Sequence, residues 1–359
     1  MNTQYNYTRP EVFSLEEIVQ LTFAFENLIR QKQTTLHLPC GSPAEAAGLA
    51  AIDLLETFRR TVPHDCKKDY RKEWRQAIAL GDMLRKVMNA SNHPRFDQLW
   101  PHVMLLLGRG NIALNLWNAK EDSDANKVFE LYMALVLAPL CPDLELDHPV
   151  HSSDGKNPDV IAPLDGSRWA FSCKVMHSDS PKSFIDRVRD GIRQIENSDA
   201  EKGIVVISLK NLLPHDEYWT IHRQSGLSDL IYSAAIEPQI VVRHLLEICG
   251  GYHHQVIHEL LGGPAAFNEV FKNTKAVPAV LLHLCTTVGA MTNGKPSFHL
   301  LRMFCSLNTD TLPADLLATL DNLNSSLHDR FVDFSANNAI AADMTNISQQ
   351  PTPERTPTL

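Results

Sequence analysis

The dipeptide Asp165-Gly166 constrains the fold of this chain more than any other stretch. Asp-Gly tolerates the positive φ angles of the two-residue turns that join antiparallel strands, so the runs on either side are expected to pair as a β-hairpin. Register follows by arithmetic, because facing residues of a hairpin have numbers with a constant sum, and 165 and 166 sum as 159 and 172 do. Asp159, in the run Asn157-Pro158-Asp159-Val160, is therefore expected to face Ser172, in the run Ser172-Cys173-Lys174. Side chains alternate along a strand. Trp169, Phe171, Cys173 and Val175 make the apolar face, and Ala170, Ser172 and Lys174 the other. Asp159, Ser172 and Lys174 are thus left in one polar spot with an amine beside a carboxylate.

The flanking sequence adds an order of elements. Asn126 to Ala138 reads as an apolar helix carrying Glu130, Ser183 to Ile195 as an amphipathic helix, and Gly203 to Leu209 as a buried strand. Over about residues 125 to 210 this order, with Asp159 and Lys174 placed as they are, resembles the PD-(D/E)xK nuclease family, whose core is a helix, three antiparallel strands, a helix and a further strand. The fold class that the resemblance implies is α/β (α+β): a restriction-endonuclease-like mixed sheet flanked by helices, with a helical N-terminal region.

The resemblance also implies a chemistry. Asp159 would be the central metal ligand, Glu130 would complete the set, the backbone carbonyl of Cys173 would add an oxygen, and Lys174 would assist electrostatically. The ion would be Mg2+, or Mn2+ in its place, because hard cations take oxygen ligands from one or two carboxylates plus substrate phosphate. Ser172 departs from the pattern, since it stands where the family carries a second acid; Ser172→Glu is read here as restoring the motif and raising magnesium affinity. Gln194 matches a further catalytic or phosphate-contacting position, without the tyrosine that follows it in one subgroup.

Two functions follow from these residues. One is a metal-dependent DNA endonuclease, in a restriction or phage-defence setting. The other is a catalytically inactive nuclease fold that binds a protein partner or a second copy, in the manner of an immunity protein; Ser172 and a formal charge of −9 motivate it. Taken without the resemblance, Asp159 and Lys174 read as a salt bridge on a solvated sheet edge, worth about 0–1 kcal/mol.

Residues 1–121 read as a helical region, 122–333 as the nuclease-like core and 334–359, rich in proline and polar residues, as a disordered tail. Ser14 with Glu17 and Ser42 with Glu45 fit the capping box, and Pro43 suits a first helical position. Helices are expected over about 14–32, 43–60, 68–89 and 95–107. Lys68, Arg71, Lys72 and Arg75 fall at helical spacing and form, with Tyr70 and Trp74 among them, a candidate DNA-facing surface. Asp65, Asp69 and Glu73 allow the alternative of a solvated mixed-charge face. Arg189, Arg193 and Gln194 are candidates for the same role on the later helix.

His254 and His258 share a helix face, as two zinc ligands could, but the HExxH order is absent and no third ligand is visible. They read as partly exposed or locally satisfied, on one or two helices over 240–261 broken near Gly250-Gly251. Val280 to Met291 and Ser297 to Leu307, with Asn293-Gly294 between them, read as a second hairpin, and Pro313 to Phe331 as a closing helix. The 7 cysteines are scattered among apolar residues and read as reduced core groups. No run of 18 apolar residues and no charged-then-apolar leader occurs, so a cytoplasmic protein without membrane contact is expected.

Overall fold

Two capped starts set the N-terminal helices. In the computed structural model of the chain, which describes residues 11–32, 41–60, 69–108, 113–116, 123–148, 158–219, 221–223, 230–232, 238–292, 295–308 and 312–329, a short strand β1 (Glu11–Val12) precedes α1 (Leu15–Lys32). Ser14 Oγ accepts the Glu17 N–H at 3.1 Å, and Ser42 Oγ the Glu45 N–H at 3.1 Å where α2 (Pro43–Arg60) begins. The second box closes differently from the standard pattern, because Glu45 reaches back to the N–H of Gly41 rather than of Ser42. Then follow α3 (Arg71–Ala90), α4 (Phe96–Gly108) and α5 (Ser123–Leu137). In α1, Ile18, Leu21, Phe25 and Ile29 recur at three- and four-residue spacing and are buried against α2 and α3.

After α5 come β2 (Glu145–Leu146), β3 (Val160–Leu164), β4 (Ser167–Val175), α6 (Pro181–Glu196) and β5 (Lys202–Ser208). This is the order helix, three antiparallel strands, helix, strand. The hairpin register is as the turn residues demand: Val160 faces Phe171 and Leu164 faces Ser167, with Asp165 at φ 47° and Gly166 at φ 75°. Two short strands, β6 (Ile221–Arg223) and β7 (Leu230–Tyr232), pair apart from the main sheet. The helix α7 (Pro238–His253) runs through Gly250-Gly251 unbroken and loosens only afterwards, into a π-helical turn over His254–Leu260. The chain continues through α8 (Pro264–Val270), β8 (Ala276–Thr292), β9 (Lys295–Asn308) and α9 (Ala314–Asp329). The turn at Asn293-Gly294 and the tail 334–359 lie outside the described residues.

The main sheet is mixed, in the order β1-β9-β8-β5-β4-β3-β2, with β4–β5 and β5–β8 parallel and the other pairs antiparallel. Helix α6 crosses from β4 to β5 and buries Phe184, Ile185, Val188, Ile192 and Ile195 against Ala170, Val205 and Ile207. The opposite face is covered by α5, whose Phe129 meets His283 of β8. That helix is buried nearly all round, from Val128 to Leu137, which is why its sequence shows so little amphipathic pattern.

The N-terminal strand was not legible as one. Its pairing with β9 puts Glu11 opposite Leu300, and next to it lies a buried polar knot. Arg302 of β9, 1% exposed, forms ion pairs with Glu11 and with Asp82 of α3 and donates to the Tyr132 hydroxyl of α5 at 2.7 Å. Burial pushes the guanidinium pKa down to about 9. Arg302→Met is expected to cost about 3 kcal/mol, because it takes a guanidinium from the buried carboxylates of Glu11 and Asp82, which Arg85 and Lys86 then neutralise less fully; chemical denaturation of the two proteins reads the loss directly.

Candidate active site

Glu130, Asp159 and Lys174 come from three elements. Asp159 sits one residue before β3, where its carbonyl accepts the Asp147 N–H at 3.0 Å and its Oδ2 accepts the Cys173 N–H at 2.6 Å. Lys174 Nζ stands 3.7 Å from Asp159 Oδ2, donates to the Cys173 carbonyl at 3.2 Å and donates to Gln194 Oε1 at 2.5 Å. Glu130, from the other face of the sheet, accepts from Lys127 Nζ at 2.7 Å. Burial, and then the charge of Glu130, push the Asp159 carboxyl up to about 7 from its ordinary 3.8. The two acids therefore sense each other in a dry setting.

Asp159 is 4% exposed, Lys174 9% and Ser172 0%. These values overturn the solvated sheet edge, since a surface pair would leave both heads in water. They also divide the expected polar spot. Ser172 lies under α6, where its hydroxyl donates to Gln194 Oε1 at 2.5 Å. A Cβ placed on Gly191 would come within 3.1 Å of Ser172 Oγ and 2.8 Å of Val205 Cγ2. The glycine lets the helix press directly on the strand, and no room is left for a longer side chain at 172. Lys174 is the link between the Ser172–Gln194 pair and the acids.

Three further groups belong to the cluster. Lys127 lies one helical turn before Glu130. Burial works against its charge, yet the carboxylates of Glu130, Asp159 and Asp147 hold its pKa above the ordinary value. His102 of α4 is 1% exposed with Nε2 3.5 Å from Glu130 Oε2, and burial with the charge of Lys127 pushes it down to about 3, so its imidazole is neutral. Asp147, half-buried, is raised by burial. Lys127 was recoverable from its i, i+3 spacing to Glu130. His102 and Asp147 were not, because only the fold brings α4 and β2 to α5.

The basic helix is a correction. Arg75 is 3% exposed, its Nη1 bound to Asp216 Oδ1 at 2.5 Å and its Nη2 to the His215 carbonyl at 2.6 Å. Arg71 pairs with Asp69 and donates to the Trp219 carbonyl at 2.8 Å. Both arginines clamp the segment after β5, so Arg75 does not share an exposed face with Lys72, and the helix begins at Arg71, later than expected. Lys72 is exposed, while Lys68 falls outside the described residues. Arg75→Gln should cost roughly 1–3 kcal/mol through its lost buried hydrogen bonds and leave the salt dependence of DNA binding unchanged, which unfolding and filter-binding measurements read separately. On α6, Arg189 pairs with Asp186 at 3.5 Å and Arg193 with Asp190; both are exposed and neither joins Gln194 at the cluster.

The donor set suits one hard cation. Asp159 and Glu130 supply two carboxylates whose mutual repulsion an ion would relieve, and the Cys173 carbonyl supplies a neutral oxygen; Mg2+ commonly binds through as few as one or two carboxylates and keeps its waters. Lys127 and Lys174 already answer both acids, so the ion would displace at least one ammonium. Among the described residues no group of three His, Cys, Asp or Glu side chains is arranged to hold a metal. Among them, too, no helix is long and apolar enough to cross a membrane. No family model, curated protein or solved structure matches the chain.

Proposed function

We propose that the chain is a metal-dependent nuclease that hydrolyses phosphodiester bonds in DNA. What supports the reading is the buried pair of Asp159 and Lys174, 3.7 Å apart, with Glu130 close enough for its charge to raise the Asp159 carboxyl, on a helix–three strands–helix–strand core. Asp159 and Glu130 would hold the cation, which would supply Lewis acidity and a water of lowered pKa. Lys174, fixed by Gln194 and the Cys173 carbonyl, places a positive charge beside the acids, where charge develops on a scissile phosphate. Lys127, 22% exposed, is the cation of the cluster best able to meet an incoming phosphate.

A second reading, an inactive nuclease fold that serves as an interaction protein, is favoured by two details: Ser172 is locked to Gln194, and two amines already neutralise the acids. Incubation of supercoiled plasmid with the full chain separates the two. The nuclease reading predicts nicking or linearisation in Mg2+ or Mn2+ that EDTA stops. Intact plasmid at every metal concentration supports the second.

A further inference from the structure

The fold brings two thiols together from elements far apart in the chain. Val242, Leu245, Cys249 and Tyr252 recur at three- and four-residue spacing and make the buried stripe of α7. Leu301, Met303, Cys305 and Leu307 alternate along β9 and pack into the same cluster as that stripe, while Phe304 turns to the other face of the sheet and meets His283. Cys249 therefore faces the row that holds Cys305, and the two side chains are hydrogen-bonded to each other. One helical turn further on, His253 Nε2 lies 3.1 Å from the Asn308 carbonyl, a second tie between α7 and β9.

The settings of the two thiols differ. Cys249 is 5% exposed, whereas Cys305 is half-buried at the margin of the cluster. Burial holds the thiols of Cys141, Cys173 and Cys285 above their ordinary value. Cys305 goes the other way: the S–H of Cys249 donates to its sulfur, which favours the thiolate and lowers its pKa against the effect of burial, and Cys249 is raised in turn. The thiolate is the nucleophilic form of cysteine. We propose that Cys305 and Cys249 form a peroxide-reactive dithiol, Cys305 the attacking and Cys249 the resolving thiol, that closes to a disulfide between β9 and α7. Cys305 Sγ attacks one oxygen of a hydroperoxide; the O–O bond breaks, the other oxygen leaves with the electron pair and takes a proton from water, and Cys305 becomes a sulfenic acid. Cys249 Sγ then attacks that sulfur, and its proton joins the departing hydroxide as water while the S–S bond forms. The two thiols together give up the two electrons that reduce the peroxide. The disulfide fastens α7 to the sheet, and the Glu130–Asp159 cluster takes no part.

Treatment of the full chain with hydrogen peroxide at neutral pH, then alkylation, digestion without reductant and mass spectrometry, tests the site. The expected product is the Cys249 peptide linked to the Cys305 peptide, lighter than the two free peptides by two hydrogens and separated again by dithiothreitol. In the same digest Cys305 should be consumed at least about tenfold faster than the buried Cys141. Cys249→Ser should stop at the first step, with dimedone trapping Cys305 as its sulfenic acid, and Cys305→Ser should leave Cys249 a free thiol; circular dichroism shows that each variant is folded. The inference is overturned if Cys305 reacts no faster than Cys141, if Cys249 stays reduced while Cys305 of the wild type is oxidised, or if Cys249 is oxidised as readily in Cys305→Ser as in the wild type.

Discussion

Asp159→Asn is expected to lower metal-dependent DNA cleavage by more than about a hundredfold, the scale of deleting a group that stabilises transition-state charge, while leaving the fold intact. The asparagine carbonyl can still accept the Cys173 N–H, so the hydrogen bond between β3 and β4 survives. What is lost is a charge. The folded-state pKa of Asp159 is raised to about 7 from 3.8, so the native chain holds this proton more tightly than the unfolded chain does. The contribution of this group to stability is therefore full below pH 4 and declines as pH rises towards 7, by a few kcal/mol on the scale of about 1.4 per unit. The variant escapes that penalty. Its melting temperature should exceed that of the wild type at pH 8, with the advantage shrinking at pH 5. Full cleavage by the variant would exclude Asp159 from the site, and a melting difference independent of pH would mean that its carboxyl is not raised.

Ser172→Glu should destabilise the protein by about 3 kcal/mol or more and leave magnesium affinity no higher. Read from the strand alone, Ser172 faces Asp159, and a glutamate there restores a missing acid. In the fold the position is fully buried, capped by Gly191 and Val205 and hydrogen-bonded to Gln194. A carboxylate forced into that space meets both overpacking, typically about 1–3 kcal/mol, and the cost of an ion away from water. Lys174, which shares Gln194 with Ser172, is the ammonium such a carboxylate would recruit, and recruiting it would unbalance Asp159. Chemical denaturation of the variant decides the matter: unchanged stability together with tighter Mg2+ binding would show that Ser172 faces an open site.

Much of this was legible because the deciding interactions are local. The limits of α2 match those read from Ser42, Pro43 and Glu45, and the register of β3 with β4 follows from a turn only two residues long. The rest depends on partners far along the chain. Arg75 looked like part of a DNA-facing stripe because its spacing is helical, but its partner Asp216 lies 141 positions away. Glu11 and Val12 form a strand only because β9 offers an edge. His102 carries no local signal at all; burial against Glu130 makes it part of the cluster. Nothing in the residues after Gly250-Gly251 announces that the helix will widen into a π-turn instead of breaking.

If Glu130 and Asp159 form a cation site, titration of Mg2+ or Mn2+ into the wild-type chain and its Glu130→Gln and Asp159→Asn variants will show it. One ion per wild-type chain is expected, with proton release on binding at pH 6 that vanishes at pH 8.5, and each variant should lose the binding. An absence of binding heat in the wild type, or equal affinity in all three proteins, would rule out that cation site and leave residues 158–174 as a hairpin with a buried Asp159–Lys174 ion pair.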